Sequence, residues 1–119
     1  MSNNFTIYHN PGCSKSREVL GILREQGIVP VIIDYLKTPP TVEALESLGL
    51  PARALIRDNE NEYAELNLAD PGKSDSELFA AIAQHPILLQ RPIVIAGHRI
   101  VIARPPERVH GLLQNRDQP

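Results

Sequence analysis

An α/β fold built on a four-stranded mixed sheet is predicted by three observations. Residues 5–35 run as an apolar stretch, a helical stretch of about a dozen residues and a second, β-branched stretch. Two more β-branched runs near the C-terminus flank a Gly-His pair. The segment between these two regions carries only helix and turn signals. The 119 residues, 42% of them hydrophobic, suffice for one domain with a modest core, expected to span 1–119 with a helical insert at about 41–85. Aromatic residues make up only 4% and tryptophan is absent, so aliphatic packing must supply that core.

Phe5-Thr6-Ile7-Tyr8-His9 reads as a short buried strand, and Asn10-Pro11-Gly12 as the turn that ends it. Residues 14–26 follow as a helix with Val19, Leu20, Ile22 and Leu23 on its apolar face and Gly27 at the C′ position. Pro30 opens Val31-Ile32-Ile33-Asp34-Tyr35, a second strand. A strand, a helix and a strand at this spacing form a βαβ unit, whose strands are parallel.

The middle is helical and less regular. Thr41, after Pro39-Pro40, is placed to cap a helix running to about Leu48. Gly49-Leu50-Pro51 interrupts, and Ala52–Arg57 and Glu60–Leu66 are predicted as short helices on either side of Asp58-Asn59. Ser74-Asp75-Ser76-Glu77 has capping-box spacing before an apolar helix that ends near His85. Ile93–Ala96 and Arg99–Ala103 then flank Gly97-His98 as a hairpin with a two-residue turn. Arg104-Pro105-Pro106-Glu107 begins a last helix to about Leu113, and the tail 114–119 is expected to fray. The order βαβ, helical insert, ββα is the thioredoxin-like layout, and it puts residue 13 at the carboxyl end of the first strand, where open α/β sheets bind ligands.

Twelve basic and fourteen acidic residues give a net charge of −2, which argues against a nucleic-acid or membrane-surface role. No N-terminal signal pattern and no apolar run of about 20 residues is present. A single cysteine cannot form an internal disulfide, and a cytoplasmic, reducing setting is expected.

That cysteine, Cys13, is the chief candidate for chemistry. It stands between the Asn-Pro-Gly turn and a helix, so its sulfur is placed at the first turn, where unpaired N–H groups and the positive end of the macrodipole favour an anion. Thiols in such places have pKa values lowered from about 8.5 to about 3.5–7.5, and the thiolate is a nucleophile. His9, four residues earlier, is placed to stabilise the thiolate or donate to a bound anion, or to be an ordinary strand-end histidine. Ser16 projects back along the helix towards the sulfur's side, where it could donate to sulfur or to backbone.

Three arginines stand at junctions: Arg57 after a short helical run, Arg91 before Pro92, and Arg104 before Pro105. Guanidinium forks suit tetrahedral oxyanions through bidentate, charge-assisted bonds, although spacing does not by itself bring the three together. No phosphate-binding glycine loop occurs, and the scattered histidines give no metal-ligand spacing. Cys-x-x-Ser, with serine where a second cysteine could sit, leaves no internal resolving thiol, so turnover must borrow an external one.

The runs Ile7-Tyr8-His9-Asn10-Pro11-Gly12-Cys13-Ser14-Lys15-Ser16-Arg17, Tyr35–Pro40, Arg53–Arg57, His85–Val94 and Arg104–Glu107, in this order over about residues 5–113, resemble the glutaredoxin-dependent arsenate reductases, and most of all a shorter, arsenate-reductase-like branch. The resemblance implies a nucleophilic Cys13 that forms a thiol-arsenate adduct. It places Arg57, Arg91 and Arg104 on the family's oxyanion-holding arginines, and His9 and Ser16 on the residues that favour the thiolate. It implies glutathione as co-substrate, glutaredoxin as partner, no bound cofactor, arsenite as product and a cis peptide before Pro92. A monomer is expected. Lys15 and the short stretch after the last helix depart from the pattern of the longer reductases. Two alternatives stand beside this one: a thiol oxidoreductase acting on glutathione mixed disulfides, and a non-enzymatic, redox-linked transcription adaptor, whose usual Cys-x-x-Cys switch Ser16 removes.

Overall fold

The computed structural model describes residues 4–113. Backbone contacts divide the chain into two units, one formed by residues 1–34 and 91–119 and the other by residues 35–90.

The first unit is built on a sheet. Strand β1 (Phe5–His9) leads through helix α1 (Ser14–Glu25) to β2 (Val31–Asp34), and β3 (Ile93–Ala96) turns into β4 (Arg99–Ile102). The strand order is β2-β1-β3-β4, with β1 parallel to β2 and antiparallel to β3, and β3 antiparallel to β4. This is the thioredoxin-like mixed sheet that the element order predicts. The βαβ crossover makes the first pair parallel, and the hairpin makes the last pair antiparallel. Gly97, at φ +64°, takes the first position of the two-residue turn, where a side chain would be strained.

Helix α1 ends in a Schellman motif. The Gly27 N–H donates to the Arg24 carbonyl at 3.0 Å, the Ile28 N–H donates to the Leu23 carbonyl at 3.0 Å, and Gly27 sits at φ +77°. Ile28 and Leu23 also share the core, the apolar contact that usually accompanies this cap. Val19, Leu20 and Leu23 of α1 pack with Phe5 and Ile7 of β1, Val94 of β3, and Val109 and Leu112 from the C-terminal segment. Burying a side chain of this size contributes about 1.5–3 kcal/mol.

The second unit is helical: α2 (Val42–Glu46), α3 (Ala52–Leu55), α4 (Asn61–Glu65), α5 (Asp75–Gln84) and a 3₁₀ turn at Pro86–Leu88. Thr41 Oγ1 accepts from the Ala44 N–H at 3.1 Å, and Ser74 and Glu77 make both bonds of a capping box. Leu45, Leu55, Leu78, Ile82 and Leu88 are fully buried. Arg53 ties α3 to the turn after α4 through the carbonyls of Leu68 and Asp70.

Several boundaries differ from expectation. The predicted helix 52–57 stops at Leu55 because Ile56 is extended and forms an antiparallel bridge with Leu89. The Arg57 N–H donates to the Leu88 carbonyl at 2.7 Å, and the Gln90 N–H donates to the Leu55 carbonyl at 2.8 Å. A pairing across more than thirty residues thus overrides local helix propensity. Tyr35 lies in a turn beyond β2, β4 ends at Ile102, and the last helix divides into a 3₁₀ turn (Pro106–Val109) and α6 (His110–Leu113). The predicted fraying of 114–119 falls outside the described residues.

Candidate active site

The loop between β1 and α1 is held by its own side chains. The Cys13 N–H donates to the Asn10 carbonyl at 2.9 Å, closing a turn, and Asn10 Oδ1 accepts from the Gly12 N–H at 2.9 Å. Arg17, from the first turn of α1, donates through Nη1 to the Pro11 carbonyl at 2.8 Å. Cys13 is itself the N-cap, in extended conformation, and its carbonyl accepts the first helical bond from the Arg17 N–H at 3.0 Å.

The sulfur is therefore set among donors. Burial pushes the Cys13 thiol up, but the Ser16 amide, the Arg91 guanidinium and the Lys15 amide act against it, and the net shift is downward. The thiol makes no side-chain cap bond of the usual kind; the two amides act on it by hydrogen bonding, and Arg91 by hydrogen bonding and charge. Thiolate character in a partly exposed cysteine is what a nucleophile requires.

Below the loop, Ser16 is fully buried and its Oγ lies 2.6 Å from His9 Nδ1. The same Oγ accepts from the Asn10 N–H at 3.0 Å. Of the two partners open to the Ser16 side chain, sulfur or backbone, it meets backbone: the hydroxyl faces His9 and the Asn10 N–H, and the part of Ser16 that acts on Cys13 is its backbone amide. The reason is local geometry. Ser16 stands at the third helical position, whose amide points back at the N-cap while its buried side chain meets the end of β1. His9 is buried and is held below its ordinary pKa, first by burial and then by Arg24 and Arg17; Asp34, its register partner on β2, works in the other direction.

Arg91 and Arg104 stand at the open end of the β3–β4 hairpin, each before a cis proline, Pro92 and Pro105. Only the first of these two bonds was expected. Arg104 Nη1 donates to the Arg91 carbonyl at 3.3 Å, and the Ala103 N–H donates to the Pro92 carbonyl at 2.9 Å. One unit thus brings together Cys13, His9, Ser16, Arg91 and Arg104. Arg57 belongs to the other unit, where its Nε lies 2.9 Å from Glu60 Oε2 in a mostly buried ion pair.

Three contributors were not singled out from the sequence: Arg17 as the clamp on Pro11, Asp34 beside His9, and Glu60 on Arg57. The Asn-Pro-Gly turn pointed to a shaped loop, but nothing in the sequence selects Arg17 among exposed charges, and Asp34 meets His9 only through strand register. Among the described residues, no group of three or more His, Cys, Asp or Glu could hold a metal ion, and no helix is long and apolar enough to cross a membrane.

The model of the ArsC family matches residues 8–112. The chain is 45% identical to "Arsenate reductase" of Rhizobium meliloti (strain 1021), over 91% of this chain and 80% of that protein. It is 46% identical to "Uncharacterized protein YfgD" of Escherichia coli (strain K12), over 92% of this chain and 96% of that one. The solved structure "Arsenate reductase from Vibrio cholerae" superposes with a TM-score of 0.89 at 47% identity, covering 93% of this chain and 98% of its own. The match takes in both Arg-Pro junctions and the whole of the cysteine loop, and the chain belongs to the ArsC family.

Proposed function

We propose that the protein reduces arsenate to arsenite through Cys13, with glutathione and glutaredoxin supplying the electrons. The observation that carries this reading is the Cys13 thiol, lowered in pKa at a helix N-terminus with the Arg91 guanidinium beside it. Such a site attracts an anion and attacks it. The relatives named arsenate reductase supply the identity of that anion.

The thiolate displaces one arsenate oxygen, which takes up protons and leaves as water, and an S–As(V) bond forms. Arg57, Arg91 and Arg104 are assigned to hold the remaining oxygens, and His9 and Ser16 to shape the loop that carries the thiolate. With no second cysteine in the chain, the two electrons come from outside. A glutathione sulfur joins the arsenic in place of a second oxygen, which takes up protons and leaves as water; a glutaredoxin thiolate then forms a disulfide with that sulfur, and the electron pair of the broken S–As bond passes to arsenic. Water releases arsenite and restores Cys13. The sum is one arsenate and two thiols giving one arsenite, one disulfide and one water.

The test is steady-state arsenate reduction with glutathione, glutaredoxin and NADPH recycling. Turnover is expected in the wild type, and Cys13→Ser should fall to background with an unchanged circular dichroism spectrum. Residual turnover in Cys13→Ser would remove the mechanism. A low-pKa Cys13 without arsenate turnover would assign the site to another thiol substrate.

A further inference from the structure

Glu60 has no part in the chemistry described above beyond its ion pair with Arg57. It precedes α4, at the N-cap position, yet its side chain makes no capping bond. Its carboxylate goes instead to Arg57, with Oε2 at 2.9 Å from Nε, and both side chains are mostly buried. Burying a carboxylate is costly without a partner, and here the partner is an arginine that the proposed function assigns to the oxyanion.

The way the pair is made is informative. An arginine paired with a carboxylate for its own sake tends to use two parallel N–H bonds. Here Glu60 takes only Nε, and the Nη1/Nη2 edge of Arg57 has no hydrogen-bond partner among the described residues. That edge offers two parallel donors spaced for two oxygens of a tetrahedral anion. The other end of the side chain is fixed too. The Arg57 N–H is bonded to the Leu88 carbonyl, Ile56 bridges Leu89, and Gln90 Nε2 donates to the Ile56 carbonyl at 3.3 Å. Backbone pairing anchors the root of Arg57 while Glu60 anchors its head.

We propose that Glu60 is a positioning residue for oxyanion binding: it locks the Arg57 guanidinium by Nε and leaves the Nη1/Nη2 edge for an oxyanion. Two effects of the carboxylate oppose each other. It removes the rotamer freedom that a long side chain would otherwise lose on binding, which strengthens binding. Its negative charge repels the incoming anion, which weakens binding. Positioning outweighs repulsion.

This inference rests on the reading of Arg57 as an oxyanion ligand, and the experiment separates the two. Arsenate KM and kcat are measured for the wild type, Arg57→Ala, Glu60→Ala and Glu60→Gln, with circular dichroism as the check on folding. Arg57→Ala is expected to raise KM by about tenfold or more, the loss of a charged hydrogen bond. Glu60→Ala should raise KM by about threefold to tenfold and leave kcat much less affected. Glu60→Gln keeps an acceptor for Nε and sheds the charge, so its KM should return to the wild-type value or fall below it. A Glu60→Ala KM that is unchanged or lowered would overturn the proposal, as would a Gln variant no better than Ala. A Glu60→Ala loss confined to kcat would do so as well. An unchanged KM in Arg57→Ala would overturn the reading of Arg57, and the role of Glu60 with it.

Discussion

The two units of this chain are organised in different ways. In the sheet unit, residues far apart in sequence are set side by side by strand register: Ile7 meets Val94, His9 meets Asp34, and Arg91 reaches Cys13 across 78 positions (91 − 13). In the helical unit, most shaping bonds are local, such as Thr41 to Ala44, Ser74 to Glu77 and Arg57 to Glu60. The contrast teaches that the nucleophile joins local amides at the helix terminus to one distant partner, Arg91, whereas the short helices rest on local caps and on the pairing of Ile56 with Leu89.

Three perturbations sharpen this contrast. The largest stability effect is expected from Leu23→Ala, which empties a fully buried position between α1 and the sheet and also strips the Schellman cap of its apolar contact. A loss of about 2–5 kcal/mol is expected by denaturant titration, with cysteine reactivity lost in the same transition. A smaller loss with reactivity surviving to a later transition would break the link drawn between sheet packing and the nucleophile.

Next comes Arg91→Ala, which leaves packing nearly intact and acts on the thiol. Arg91 holds the thiolate through a hydrogen bond and through its charge, so the pH profile of Cys13 alkylation should move to higher pH. The sign for stability follows. The folded pKa of Cys13 lies below its unfolded value, so the stabilisation is fully present above the unfolded value of about 8.5 and is lost as pH falls through the folded pKa. Arg91→Ala narrows that window. An alkylation profile that stays in place would assign the low pKa to the helix terminus alone.

The smallest effect is expected in the helical unit. Ser74→Ala removes one half of an exposed capping box and should cost about 1 kcal/mol, read as a small drop in the denaturant midpoint. Cys13 alkylation should not change. A shift in the thiol profile here would mean that the local bonds of this unit also set the nucleophile.

Much of the framework was legible because its signals are local. Apolar period, the Gly27 stop, the Thr41 and Ser74 caps and the Gly97-His98 turn each follow from a few adjacent residues, and each stands where expected. The position of Cys13 at the head of α1 was legible for the same reason. What escaped depends on partners distant in sequence. Ile56 leaves its helix for Leu89, and the Ser16 hydroxyl turns to His9 because β1 ends beside it. Glu60 is the exception. Its partner is only three residues away, but acidic side chains are abundant in 58–65 and only the fold selects which one meets Arg57.

The β3–β4 hairpin is also a ruler. Its strands are four residues each, paired from Ala96–Arg99 at the turn to Ile93–Ile102 at the open end, and the bond from Ala103 to Pro92 continues the ladder to both arginines. Arg91 and Arg104 are thus kept level by a count of residues, and side chains on a strand alternate faces at every step. Residues added at the Gly97-His98 tip leave the count between the pairs unchanged. A single residue added within β4 shifts Arg104 by one place and turns it to the opposite face. Length variation in this region should therefore be confined to the turn, and a change inside either strand would disable the arginine pair without touching an arginine.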